Sequence, residues 1–143
     1  MDKIYVVYWS QTGNTQKMAE AIGKGIIEGG KEAEVVDVSR APLDEVKKAN
    51  IFALGCPAMG AEVLEEAEME PFVEALEESV SGKSIALFGS YGWGDGEWMC
   101  DWVDRMIGSG ANVLNGEGLI CHEEPDESAL EKCVSLGKQL ASI

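Results

Sequence analysis

"YWSQTGNTQKMA", residues 8–19, sets five hydroxyl or amide side chains around one glycine, with an aromatic pair before them and a helix-forming run after. A strand that ends in such a turn and leads into a helix brings several donors to one point. It adds a tight bend at Gly13 and the positive end of a helix dipole. Ser10, Thr12, Asn14 and Thr15 can donate from their side chains, and the backbone amides of 11–15 can converge. That combination suits an anion. No lysine stands in the turn, which separates it from G-x-x-x-x-G-K-[ST] and disfavours Mg-ATP or GTP chemistry. No G-x-G-x-x-G occurs in the chain, so the dinucleotide fingerprint fails as well. Taken alone, "TGNT" also reads as an ordinary helix cap.

The flanking pattern alternates strand and helix. "KIYVVYW" (3–9) has the near-unbroken β-branched and aromatic character of a strand buried on both faces. Met18, Ala21, Ile22, Gly25 and Ile26 then recur at helical spacing until "EGGK" stops them. Strands are expected at 33–38, 50–55 and 84–90, and an uninterrupted one at 111–120. Helical segments are expected near "LDEVKKA" and over 70–80, 97–110 and 127–141. Five strands joined by helical crossovers make an α/β, doubly wound parallel sheet, and residues 1–143 read as one domain. Ligands of such sheets lie beyond the carboxyl ends of the strands, which directs attention to the loops after strands 1, 3 and 4.

The second of these loops, "GCPAMGAE" (55–62), holds Met59 between Pro57 and Gly60. Methionine is usually a core filler, but in a turn just past a strand end it can face a flat apolar ligand. In the third, "SYGWGDGEW" (90–98), Tyr91 and Trp93 stand among Gly92, Gly94 and Gly96. Isolated exposed aromatics mean little. Two in one glycine-rich loop, at the sheet edge that carries the anion turn, suit stacking on a planar heterocycle. A ligand with one phosphate end and one flat end is implied, and FMN fits it.

The formal charge of −15 argues against a nucleic-acid partner, which would require clustered Lys and Arg. From Ala49 to Asp104 the sequence carries twelve carboxylates against a single cation, Lys83. Such a block keeps a surface solvated and creates a field that steers a basic partner protein. No apolar run reaches the length of a membrane span, and "MDKIYVVYW" begins a strand rather than a signal peptide, so a cytoplasmic protein is expected. Cys56, Cys100, Cys121 and Cys133 form no C-x-x-C pair, and His122 is the one histidine, so no metal site is expected. Cys56 reads as buried filler, His122 as a surface residue near the ligand, and Trp98, Met99, Trp102 and Met106 as core. With no residue placed as acid, base or nucleophile, a redox carrier fits better than an enzyme.

"YWSQTGNT", "GCPAMG", "ALFGSYGWGDGEWM" and "EEPDE" together resemble the short-chain, clostridial-type flavodoxins, from Ile4 to the final helix. The resemblance implies a flavodoxin-like three-layer sandwich with strand order 2-1-3-4-5 and non-covalently bound FMN. It implies a monomer that passes single electrons between low-potential redox enzymes such as pyruvate oxidoreductases, hydrogenases or nitrogenase, with FMN moving between semiquinone and hydroquinone. Ser10, Thr12, Asn14 and Thr15, with the amides of Gln11, Thr12, Gly13, Asn14 and Thr15, would bind the phosphate. Met59 would cover the inner face of the isoalloxazine ring and Trp93 the outer. The Gly60–Ala61 peptide would answer to flavin N5, and Glu62 would accept from N3–H. The backbone of Ser90, Tyr91, Gly92, Trp93 and Gly94 would complete the pyrimidine side, with Pro57 and Ala58 in the contact set of the second loop.

Three positions depart from the family pattern. Gln11 stands where many relatives have glycine. Pro57 replaces a frequent hydroxyl residue and brings neither hydroxyl nor N–H. Ala61 replaces aspartate or glycine, and a type II turn there would cost a residue with a β-carbon about 1–2 kcal/mol. The principal rival is an FMN-dependent NAD(P)H:quinone-type reductase of the same fold. Neither the second domain nor the basic group that such an enzyme would use for a nicotinamide nucleotide is expected from these residues.

Overall fold

Period-2 alternation in β1 (Lys3–Tyr8) sends Ile4, Val6 and Tyr8 into one apolar cluster and Tyr5 and Val7 into another. Both faces of the sheet are therefore covered, as the unbroken apolar run requires. The computed structural model describes residues 3–60, 63–92 and 94–143. β1, β2 (Glu32–Asp37), β3 (Ile51–Gly55) and β4 (Ser84–Tyr91) are parallel and lie in the order β2-β1-β3-β4. The fifth place is filled by β5 (Asn112–Val113) and β6 (Leu119–His122), both parallel to β4. The 2-1-3-4-5 order implied by the family resemblance is the order observed.

Helices α1 (Asn14–Glu28) and α5 (Glu127–Ala141) cover one face; α2 (Leu43–Lys48), α3 (Met69–Glu77) and α4 (Glu97–Gly108) cover the other. "EGGK" ends α1 as expected. Gly30 at φ 94° lets its own N–H and that of Lys31 return to the carbonyls of Ile27 and Ile26, at 3.0 and 3.2 Å. Trp98, Met99, Trp102 and Met106 of α4 are all buried, so their helical spacing marks core. No helix among the described residues is long and apolar enough to cross a membrane.

One expectation needs correction. Residues 111–120 do not form an uninterrupted strand. Asn115 and Gly116 both take positive φ, 65° and 69°, and residues 114–118 loop out opposite 86–87 of β4. Asn-Gly is among the strongest turn signals in any sequence. Here it interrupts an apolar alternation whose inward residues face the α2–α4 side before it, at Ala111 and Val113, and the α1–α5 side after it, at Leu119 and Cys121. The strand is split but keeps its place in the sheet.

Candidate functional site

The order β2-β1-β3 reverses the direction of winding between β1 and β3, so the loops leaving these two strands diverge and open a crevice at their carboxyl ends. The ladder continues past the strands. Trp9 N–H donates to the Gly55 carbonyl at 3.0 Å, Cys56 N–H to Phe88 at 3.1 Å and Ala58 N–H to Ser90 at 3.2 Å. These bonds seat the three loops side by side. Gly89 permits the approach, since a Cβ there would lie 2.1 Å from the Cys56 carbonyl oxygen.

The first loop organises itself around Ser10. Its Oγ accepts from Gly13 N–H at 3.1 Å and Gln16 N–H at 3.3 Å, which leaves its own proton free to donate outward. Gly13, at φ 94°, caps α1 without a side-chain bond, and no acidic residue stands in the first turn of that helix. A carboxylate is usual at such an end, and its absence leaves the positive end open to an outside anion. Thr15 differs from the others in the loop: it is 1 % exposed. Its Oγ1 lies 3.2 Å from Ser90 Oγ and accepts from Ser90 N–H at 3.4 Å, strapping the first loop to the third.

A cleft of about 230 Å³ collects residues from all three loops: Ser10, Gln11, Thr12, Asn14 and Thr15 from the first, Pro57, Ala58 and Met59 from the second, and Ser90, Tyr91 and Gly92 from the third. Gly13 sits behind it as the helix cap, while Gly60 and Gly94 are exposed beside it. Ala61, Glu62 and Trp93 lie outside the described residues. Hollows of about 430 and 420 Å³ flank β6 under α5 and α4, but they lack a cluster of donors at a helix start. The donor set, rather than volume, identifies the site.

Tyr91 is held from three sides. Its ring centroid is 5.7 Å from that of Trp98 and 5.1 Å from that of His122, and its carbonyl accepts from Glu123 N–H at 2.7 Å. His122 is a surface residue, as expected, with its ring edge against Tyr91. Glu123 lines the cleft and was not foreseen; it stands at φ 58°, a conformation its sequence gave no sign of. Lys17, next to the anion turn in α1, is engaged by Glu124. Among the described residues lining the cleft there is no cation and one carboxylate, Glu123.

The second loop holds the larger surprise. Glu65 is buried, and its carboxylate accepts from the amides of Ala67, Glu68 and Met69 at 2.8, 2.7 and 3.0 Å. Burial alone would push this carboxyl up; the three amides outweigh it and hold it below the ordinary carboxylate value. Glu70 and Glu77 are paired with Arg105, whose guanidinium forks onto Glu70 at 2.8 and 2.6 Å. The acidic block therefore contains three carboxylates that are structural rather than free surface charge. Cys56 is buried, as expected, and burial pushes its thiol up to about 12.

An uncharged anion cradle, an apolar lip and the 2-1-3-4-5 sheet define a carrier of a phosphorylated cofactor. The flavodoxin family model matches residues 6–137. The chain is 54 % identical over 138 residues to a flavodoxin of Clostridium beijerinckii, covering 96 % of this chain and 99 % of that protein. It is 41 % identical to a Megasphaera elsdenii flavodoxin, covering 96 % and 98 %. The solution structure of two-electron reduced Megasphaera elsdenii flavodoxin superposes with a TM-score of 0.86 at 40 % identity, over 98 % of this chain and 99 % of that one. An archaeal flavodoxin gives 0.88 at 33 %, over 99 % and 97 %. The chain belongs to the flavodoxin family, and to its short-chain, clostridial type. Its cofactor is FMN and its role is electron carriage, without substrate turnover of its own. The rule that places ligands at the switch point has flavodoxins among its own type examples, so the cleft at β1/β3 agrees with it rather than testing it.

The residues present fit FMN. The cradle offers hydroxyls, backbone amides and a helix start without a competing carboxylate, which suits a phosphate monoester. Met59 and Tyr91 supply apolar surface on the same cleft.

Proposed function

We propose that this flavodoxin passes single low-potential electrons between redox enzymes, with bound FMN moving between neutral semiquinone and anionic hydroquinone. The convergence of three loops on one cation-free cleft supports this most directly. Ser10, Thr12, Asn14 and Thr15, with the amides of 11–15, hold the phosphate. Pro57, Ala58 and Met59 approach the inner face of the ring, and Trp93 the outer. Gly60 and Ala61 answer to flavin N5, Glu62 takes the N3 proton in a hydrogen bond, and the backbone of Ser90 to Gly94 meets the pyrimidine edge.

A cradle without Lys or Arg has an electrostatic consequence. Nothing in it offsets a negative charge gained on reduction, and exposed carboxylates such as Glu66, Glu74, Asp101 and Asp104 oppose that charge. A carboxylate about 10 Å from the ring would, in a water-like dielectric, contribute roughly 0.4 kcal/mol. Several together, partly screened by salt, reach roughly 1–3 kcal/mol. With about 2.3 kcal/mol per 100 mV, the shift is on the order of 100 mV towards a stronger reductant. The same charges steer basic docking surfaces on partners of the ferredoxin-using kind, such as pyruvate oxidoreductase, hydrogenase or nitrogenase. The protein would act in the cytoplasm as a monomer.

Anaerobic titration with dithionite tests the reading. A yellow protein that turns blue and then pale carries one electron at a time on a neutral semiquinone. Bleaching in a single two-electron step would instead mark a hydride-transferring reductase.

A further inference from the structure

Residues 56–60 leave the end of β3 and present Met59 at the cleft, and residues 63–65 lie back at their starting point. Glu65 closes the neck of this loop. Its N–H donates to Cys56 Sγ at 3.4 Å, and Cys56 is itself fixed to β4 through the 3.1 Å bond to Phe88. In the other direction the Glu65 carboxylate receives Ala67, Glu68 and Met69, and its carbonyl receives Glu70 N–H at 2.9 Å. One residue thus joins the end of β3 to the start of α3. Further along the loop, Met59 N–H donates to the Val63 carbonyl at 3.0 Å, and Leu64 is buried in the α2–α4 core. Met59 is therefore bonded to a segment whose lower end is Glu65.

Glu65 is 7 % exposed, and its carboxylate is turned to backbone amides rather than to solvent. The cation nearest in role, Arg105, is occupied by Glu70 and Glu77. If the carboxylate is removed, three amides lose their acceptor, that of Met69 in a buried position, and the 65–69 segment must open to pair them again. Opening there releases Val63 and Leu64, and with them the partner of Met59.

We propose that Glu65 is a positioning residue for the flavin turn: by clasping Cys56 to the start of α3 it fixes Met59 and Gly60, and so sets FMN affinity and the potential of the first electron without touching the cofactor. The proposal rests on the reading that this loop faces FMN.

The test compares holoprotein and apoprotein of wild type, Glu65→Gln and the exposed neighbour Glu66→Gln. In Glu65→Gln the amide NH₂ meets backbone N–H groups, so at least one acceptor is lost while size is kept. FMN dissociation should weaken by about tenfold, equivalent to about 1.4 kcal/mol. The first-electron potential should shift, and the Met59 amide of the apoprotein should exchange faster. Glu66→Gln loses the same formal charge without the clasp: it should match wild type in FMN affinity and Met59 exchange, and its first-electron potential should shift less than that of Glu65→Gln. If Glu65→Gln does not fold, Cys56→Ala removes the other half of the clasp and should move the same three readouts in the same direction. Lower global stability with unchanged FMN affinity, potential and Met59 exchange would overturn the proposal and leave Glu65 as a helix cap only. A wild-type protein that takes up no FMN would overturn the functional reading instead, while faster Met59 exchange in the variant would still show the clasp.

Discussion

The loops after β1 and β3 face the same cleft and are stabilised in opposite ways. The first is held by bonds between residues close in sequence: Ser10 to Gly13, Ser10 to Gln16, and Gly13 to the start of α1. Its long-range link is the Thr15–Ser90 strap. The second depends on contacts made at its two ends, where Cys56 and Glu65 meet and Glu65 holds the start of α3. A loop organised by its own side chains presents a nearly fixed set of donors, which suits a phosphate whose charge does not change. A loop clasped at its neck leaves its tip dependent on the clasp, which suits the part of the site next to the ring, where reduction alters charge and hydrogen bonding. On this account the first loop bears on affinity through the phosphate, and the second on both affinity and potential through the ring.

The largest expected effect breaks the link between loops. Thr15→Val keeps the shape of a side chain that is 1 % exposed but removes the acceptor of Ser90 N–H and the partner of Ser90 Oγ. Stability of the apoprotein in urea should fall by about 1–3 kcal/mol, the cost of leaving buried polar groups unpaired.

A smaller effect separates the clasp from the rest of the acidic block. The folded-state pKa of Glu65 is depressed, so its contribution to stability is present above the unfolded value of about 4.3 and is lost as pH falls through the folded one. Cys56, the titratable neighbour beside it, stays neutral throughout that range. Thermal unfolding measured from pH 7 down to pH 3 should show a steeper loss in wild type than in Glu65→Gln. Equal slopes would remove Glu65 from the acid response.

The same contrast explains what the sequence made legible. The first loop could be read because its donors, its glycine and its helix follow one another within "SQTGNT". The parallel sheet followed from the alternation of apolar strands and helices, its strand order from the family resemblance, and the α4 core from helical spacing. Glu65 could not be read, because a capping carboxylate within eight glutamates over 62–78 looks like every other solvated acid. Its partner amides lie nearby in sequence, but its burial comes from tertiary packing. Arg105 follows directly after the acidic stretch, and only the packing of α3 against α4 brings it to Glu70 and Glu77. Glu123 in the left-handed region left no sequence trace; its N–H meets the Tyr91 carbonyl, a partner thirty-two residues away in the chain. The split of the last strand did leave a trace, Asn115-Gly116, which the apolar residues on either side outweighed.

The most direct measurement is binding of FMN and of riboflavin, which lacks the phosphate, to apoprotein of wild type and Ser10→Ala. The account predicts that Ser10→Ala weakens FMN by about tenfold, or about 1.4 kcal/mol, and leaves riboflavin unchanged, since Ser10 organises only the phosphate cradle. Equal weakening of both ligands would contradict it, and would mean that the loop after β1 does not hold the phosphate end.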